Sequence, residues 1–207
     1  MMKKIAVIDY GAGNIGSIIN ALNFLEIPFG VVSEPSVLSN YDALILPGVG
    51  AFGPAMNRLI DRGFVDKLEE EVLYKKKNIL GICLGFQLLC ASSNEGGMNN
   101  GLGFINAKVS RFTKEELLEK KKTHIGFNAV KIKNRVGIFL GLNETSDFYF
   151  VHSYRILPKN LGGNILICNY GVDFLAGYQQ RNITGVQFHP EKSQANGLRI
   201  LHNFSSL

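Results

Sequence analysis

The segment Asn78-Ile79-Leu80-Gly81-Ile82-Cys83-Leu84-Gly85-Phe86-Gln87-Leu88-Leu89-Cys90 restricts what this chain can fold into more than any other. A short apolar run enters a turn in which glycine stands two positions either side of a cysteine, and a second apolar run follows. The pattern predicts a buried strand, a sharp strained turn and a helix, with the glycines letting strand and helix approach without Cβ clashes. Cys83 then sits at the tip of the elbow, at a helix N-terminus, where unpaired N–H groups and the helix dipole favour a thiolate. On these residues alone, a small buried cysteine between two packing glycines fits as well.

The same grammar recurs upstream. Ile5–Asp9, Phe29–Val32 and Ala43–Leu46 are apolar, partly β-branched runs, and Asn14–Leu25 has helical spacing through Ile15, Ile18, Ile19, Leu22 and Leu25. A helix is expected from Pro54, and an amphipathic one over Phe64–Lys75. Strands alternating with helices predict a three-layer α/β fold, a mainly parallel central sheet with helices on both faces and right-handed crossovers. Ligands bind such sheets beyond the carboxyl ends of the strands, where Cys83 and the loop Pro47-Gly48-Val49-Gly50-Ala51-Phe52-Gly53 would both lie. That loop is either a plain turn or one whose backbone N–H can swing toward an oxyanion.

Downstream, the β-rich runs Gly103–Phe112, Ala129–Ile132, Phe148–Val151, Ile165–Asn169, Phe174–Gln179 and Thr184–Phe188 are punctuated by turn signals, and Asn196–Phe204 reads as a closing helix. They predict antiparallel extensions on one domain spanning residues 1–207, since no linker composition and no internal repeat interrupts the chain.

Composition narrows the function classes. Three cysteines, at 83, 90 and 168, give neither a disulfide framework nor a C-x-x-C metal spacing, which predicts a reducing, cytoplasmic setting with Cys90 and Cys168 as core fillers. The apolar residues before Asp9 are too few for a signal-peptide core. The stretch Ile79–Ala91 falls short of the ~18 residues a membrane span needs. A net charge of +5 hints at an acidic partner, but Lys75-Lys76-Lys77 and Lys120-Lys121-Lys122 lack interleaved aromatics. Solvated faces are expected there, a partner-protein surface next, and no nucleic acid. Gly11-Ala12-Gly13-Asn14-Ile15-Gly16 fits a dinucleotide-binding turn, with Glu34 posing as the ribose acid. The Asp9 carboxylate just ahead of it would repel a pyrophosphate.

A cysteine nucleophile needs a base and a group to orient that base. His202 lies in the closing helix, His124 follows the lysine-rich segment, and His152 is either a core residue or a site lining. His189 follows the apolar Val186-Gln187-Phe188, precedes Pro190, and has Glu191 two residues on. In extended backbone, residues i and i+2 point the same way, so the carboxylate can reach the imidazole and fix its tautomer. A chance turn at a strand end is the other reading.

Taken together, Gly81-Ile82-Cys83-Leu84-Gly85 and Gly185-Val186-Gln187-Phe188-His189-Pro190-Glu191 resemble the signature of the class I glutamine amidotransferases. Asp9-Tyr10-Gly11-Ala12-Gly13-Asn14, the Pro47–Gly53 loop, Gly101-Leu102-Gly103 with Arg111-Phe112, and Tyr149-Phe150-Val151-His152-Ser153-Tyr154 resemble one branch of it, the glutaminase subunit of imidazole glycerol phosphate synthase. The resemblance covers essentially the whole chain and implies a flavodoxin-like glutaminase fold. It further implies hydrolysis of glutamine by Cys83, with His189 oriented by Glu191, an oxyanion hole from the N–H groups of Val49 and Leu84, and no metal or cofactor. Gly50, Gln87, Glu95, Ser153 and Tyr154 would surround the glutamine, with Glu95 at its α-ammonium group. The partner it implies is a (β/α)₈-barrel synthase (cyclase) subunit in a heterodimer, met by Asn14, Phe127, Tyr149 and Lys192, with the Gly11–Gly16 turn facing it.

The chain departs from the family's His-Met-Gly-Trp-Asn, preceded by Pro, with Thr123-His124-Ile125-Gly126-Phe127-Asn128, and has no tryptophan at all. The segment Lys114–Lys122 is also longer than the family norm. These departures leave open a paralogous subunit that feeds ammonia into amidination of a surface sugar. A stand-alone thiol hydrolase or peptidase and a non-catalytic binding module are more distant readings.

Overall fold

The fold was analysed in a computed structural model that describes residues 2–13, 15–117, 120–159 and 161–207. The strands are β1 (Ile5–Ile8), β2 (Phe29–Val32), β3 (Ala43–Leu46), β4 (Asn78–Ile82), β5 (Cys90–Ser93), β6 (Asn99–Asn100), β7 (Ile105–Arg111), β8 (His124–Ile132), β9 (Thr145–His152), β10 (Tyr154–Ile156), β11 (Asn164–Tyr170), β12 (Val172–Gln180) and β13 (Ile183–Val186). The helices are α1 (Gly16–Phe24), α2 (Phe52–Asp61), α3 (Phe64–Glu69), α4 (Leu84–Leu88), α5 (Lys114–Leu117) and α6 (Gln194–Ser205).

Nine strands form one sheet in the order β2-β1-β3-β4-β13-β12-β11-β8-β9. The first five pair in parallel and the last four extend the sheet antiparallel. The parallel strands are continuous apolar runs because both of their faces are covered. In β1, Ile5 and Val7 join a core with Ile18 and Leu22 of α1 and Ile200, Leu201 and Phe204 of α6. Ala6 and Ile8 face the opposite way, into a core with Phe52 and Leu59 of α2, Phe64 and Leu68 of α3, and Phe86 of α4. Three layers follow directly from that two-residue alternation.

Several elements differ from the sequence expectation. Strand β8 begins at His124 rather than Ala129, because an unbroken antiparallel register with β9, from His124↔His152 to Lys131↔Thr145, holds its weakly strand-forming first half. Strands β5, β6, β7 and β10 form a second, four-stranded sheet that no sequence pattern announced.

The helix expected over Phe64–Lys75 is α3 followed by a π-helical turn over Glu70–Tyr74. This wider turn accompanies a fully buried Glu71, whose carboxylate meets the ammonium groups of Lys67 (3.1 Å), Lys75 (2.9 Å) and Lys77 (2.7 Å). Burial disfavours the charged carboxylate, yet hydrogen bonds from the three lysines outweigh it and hold its pKa at about 2. Within the lysine run 75–77, Lys75 and Lys76 are exposed as a solvated face requires, while Lys77 is drawn inward, its side chain only 11% exposed. Lys120, Lys121 and Lys122 are exposed as expected, with Lys120 Nζ 4.9 Å over the Tyr170 ring.

One pairing positions the site. Strand β4 lies parallel to β13 with Gly81 opposite Gly185 and Ile82 opposite Val186, and Cys83 N–H donates to Val186 O at 2.8 Å. On its other side β4 pairs with β3, so the Gly48–Gly50 loop, Cys83 and the Gln187–His189 segment leave the same sheet edge side by side.

Candidate active site

Cys83 has φ 54° and ψ −110°, a conformation that L-residues with a side chain avoid. Such strain persists only where the surroundings over-determine it, and the neighbouring glycines are how they do so. A Cβ at Gly81 would stand 2.7 Å from Phe86 Cα, one at Gly85 would run into the Leu46 carbonyl, and one at Gly185 would strike the Phe86 ring. The Gly-x-Cys-x-Gly spacing is thus the footprint of close packing between β3, β4, β13 and α4.

The Cys83 side chain opens into a cavity of about 520 Å³. Its walls bring together Val49, Gly50, Leu84, Gln87, Glu95, Ser153, Tyr154 and His189, all residues singled out from the sequence. Glu191 lies behind His189, on a smaller adjoining cavity of about 190 Å³ that it shares with Lys192. His189 Nδ1 lies 2.7 Å from Glu191 Oε1. A carboxylate only accepts, so Nδ1 carries the proton and Nε2 is the atom left to act. That Nε2 is buried without a hydrogen-bond partner among the described residues. Burial pulls the His189 pKa down, but the Cys83 sulfur and the Glu191 carboxylate outweigh it and push it up to about 10.

The other predicted residues are held more specifically than sequence could say. Glu95 Oε2 accepts the Phe52 N–H at 2.8 Å, which ties its loop to the start of α2. Gln87 spends both amide hydrogens inward, on Tyr154 O (3.1 Å) and Gln187 Oε1 (2.9 Å). Ser153 Oγ is 2.8 Å from Thr123 Oγ1. The Val49 N–H bonds to Ala12 O at 3.2 Å, so in this conformation it points away from the pocket. Gly50, at φ 102°, has open space where a Cβ would be, leaving room for the loop to turn.

On the adjoining surface, Phe127 and Tyr149 meet edge to face with centroids 5.6 Å apart, and Lys192 Nζ lies 5.9 Å from the Tyr149 ring centroid. Phe127 is 52% exposed. Asn14, expected beside them, lies outside the described residues.

Sequence reasoning missed the placement of Arg111 and Gln187 and the pairing of His152, which it had given as a core residue or a site lining. Arg111 lines the pocket with Glu95 and so gives it both signs of charge. Gln187 is fully buried and donates to Cys83 Sγ at 3.7 Å. His152, also on the pocket wall, is paired with buried His124, Nε2 to Nδ1 at 3.1 Å. Only Gln187 carried a signal, being two residues before His189 on an extended segment. Among the described residues no group of three or more His, Cys, Asp or Glu is placed to hold a metal ion, and no helix is long and apolar enough to cross a membrane.

An α/β sheet presenting a strained cysteine beside an imidazole–carboxylate pair is the layout of a thiol-dependent acyl-transfer site. Comparison with known proteins narrows this class. The family model for glutamine amidotransferase class-I matches residues 6–206, and the chain belongs to that family. It is 44% identical over 203 residues to the protein of Campylobacter jejuni subsp. jejuni serotype O:23/36 (strain 81-176) named imidazole glycerol phosphate synthase subunit HisH 1, covering 98% of this chain and 100% of the relative. The HisH 2 subunit of Pseudomonas aeruginosa PAO1 is 42% identical, with 98% and 99% covered. The HisH subunit of Moorella thermoacetica is 41% identical, with 100% and 96% covered. Among solved structures, PurLQS from Thermotoga maritima shares the fold with TM-score 0.77 at 17% identity, over 99% of this chain and 98% of that one. A glutamine amidotransferase from the same organism does so with TM-score 0.66 at 19% identity, over 100% and 84%.

Proposed function

We propose that this chain is the glutaminase subunit of an imidazole glycerol phosphate synthase, acting in histidine biosynthesis in the cytoplasm by passing ammonia from glutamine to a (β/α)₈-barrel cyclase subunit. The observation that carries the chemistry is the meeting of Cys83, at positive φ, with the His189–Glu191 pair over a pocket lined by charges of both signs. Full-length identity of 41–44% to synthase subunits supports the pathway.

Glu95 suits the α-ammonium group of glutamine, Arg111 its α-carboxylate, and the Gln87 Oε1 is the amide atom left for the substrate. Cys83 thiolate attacks the side-chain amide carbon. The oxyanion is met by the Leu84 N–H and, once the loop reorients, by that of Val49; one such donor is worth ~10²–10³ in rate. The His189 imidazolium gives its Nε2 proton to the departing nitrogen, so ammonia leaves and a thioester remains. Neutral His189 then takes a proton from water as the oxygen attacks the thioester. Glutamate departs, and the thiolate–imidazolium pair is restored.

Because the Val49 N–H is engaged by Ala12 O, the resting loop holds hydrolysis back until the partner docks. Phe127, Tyr149 and Lys192 form the docking face for that partner. A direct link exists inward, since the Tyr149 carbonyl accepts the His189 N–H at 2.9 Å.

The test is a complex reconstituted with the barrel subunit. Cys83→Ser should abolish glutamine-dependent synthesis and leave ammonia-dependent synthesis intact. Glutamine turnover surviving in that variant would end the proposal.

A further inference from the structure

The amide of Gln187 cannot choose which way it faces. Gln87 Nε2 sits 3.1 Å from the Tyr154 carbonyl oxygen, which only accepts, so that atom is nitrogen and its second hydrogen points at Gln187. The Gln187 atom 2.9 Å away must then be Oε1, which leaves Nε2, 3.7 Å from Cys83 Sγ, as the group presented to the sulfur. The Tyr154 carbonyl is anchored in turn. It accepts His152 Nδ1–H at 2.7 Å, His152 Nε2 accepts His124 Nδ1–H at 3.1 Å, and His124 Nε2 accepts from the Asn128 amide at 3.2 Å. Asn128, His124 and His152 thus donate in turn toward the Tyr154 carbonyl, and Gln87, which donates to the same oxygen, donates onward to Gln187 and through it to the thiol. Gln187 is fully buried and does not line the pocket, so it reaches the sulfur from the protein side and cannot contact the substrate.

We infer that Gln187 is a positioning residue, whose amide, braced by Gln87 so that it cannot flip, holds an N–H donor against the Cys83 sulfur and favours a thiolate aimed into the pocket. The inference rests on reading Cys83 as the nucleophile. The other contact of the sulfur, Val151 O at 3.9 Å, is an acceptor and favours the thiol instead. The titratable and charged groups around Cys83 are His189 at the end of β13, Tyr10 after β1, His152 of β9, and Glu95 and Arg111 across the pocket. All of them stay in place in the variants below.

The test is the rate of Cys83 alkylation by iodoacetamide against pH, in the full chain, with the adduct located by peptide mass. Thiolate displaces iodide, so the inflection reports the thiol. Cys90 and Cys168 are buried, and burial pushes both thiols up, that of Cys168 to about 12, so neither competes. Gln187→Met keeps length without a donor. Gln187→Glu keeps an acceptor for Gln87 but puts a carboxylate at the sulfur. Gln87→Met leaves Gln187 and removes its brace.

Gln187→Met should move the inflection up by about one pH unit. Gln187→Glu should do more and Gln87→Met less. Folded Gln187 variants, judged by circular-dichroism melts, that titrate as wild type overturn the inference. Should they not fold, an unchanged inflection in Gln87→Met overturns it. Alkylation needs neither glutamine nor partner, so an alkylatable wild type that never hydrolyses glutamine refutes the proposed function and not this inference.

Discussion

Acidification from pH 7 to pH 5 is expected to destabilise the chain by about 4 kcal/mol, because it folds around two neutral imidazoles. His124 is packed between Phe150 and Tyr170 with ring centroids at 4.7 and 4.1 Å, and His152 lies against it in the pocket wall. Burial, assisted by the Lys120 charge, lowers the His124 pKa to about 4. Burial also takes His152 to about 3, against the hydrogen bond to Tyr154 that opposes the shift. Both titrate near 6.5 when unfolded, so between pH 6.5 and pH 4 the unfolded chain binds protons that the folded chain refuses, and stability falls with pH.

At pH 5 each imidazole contributes roughly 2 kcal/mol of that loss, together about 8–16 °C in melting midpoint. His189 works the other way and in another window. Its raised pKa gives stability that is complete below pH 6.5 and fades as pH climbs toward about 10. Glu71, with its pKa lowered to about 2, is felt only below about pH 4.5. Urea unfolding of wild type and His152→Gln at pH 7 and 5 separates these contributions, since glutamine can still donate to Tyr154 O and accept from His124. The variant should recover about half of the acid loss. A wild-type stability that is flat over this interval, or a variant with the full wild-type slope, would refute the reasoning.

Three further outcomes follow from the site. Glu191→Gln, which cannot hold His189 as an imidazolium, should lower kcat of the glutaminase complex on the order of 10²–10⁴-fold, as steady-state kinetics at neutral pH will show, and should lower the melting midpoint at that pH because the buried ion pair is lost. Gly85→Ala drives a methyl group into the Leu46 carbonyl and should destabilise the fold by about 1–3 kcal/mol while erasing glutamine turnover, read by thermal melts and an ammonia assay. Phe127→Ala should leave the isolated chain's melt unchanged but weaken binding to the proposed barrel subunit about 30-fold, measurable by calorimetric titration.

What was legible in the sequence was what local residues decide. Strands β1, β3 and β4 stood out because burial on both faces makes them apolar throughout, and the elbow stood out because only glycine fits at 81 and 85 beside a strained Cys83. The His189–Glu191 pair was legible because both members lie within three residues. What pairing across the chain decides was not legible. The first half of β8 is His124-Ile125-Gly126-Phe127-Asn128, a poor strand sequence held extended by its register with β9. Glu71 sits in an amphipathic pattern as a surface acid would, and its burial among three lysines becomes visible only with the π turn. Gln187 and the His124–His152 pair act through partners as far as 104 residues away, and no spacing rule reaches that far.

The most direct measurement is covalent capture with a glutamine analogue that carries a chloromethyl ketone in place of the side-chain amide. Cys83, beside the His189–Glu191 pair on the wall of the pocket, should take up one equivalent, located on its own peptide. Free glutamine should protect it, and Glu95→Gln should slow the reaction. Labelling of another residue, or labelling of Cys83 that glutamine does not slow, would contradict the account at its centre.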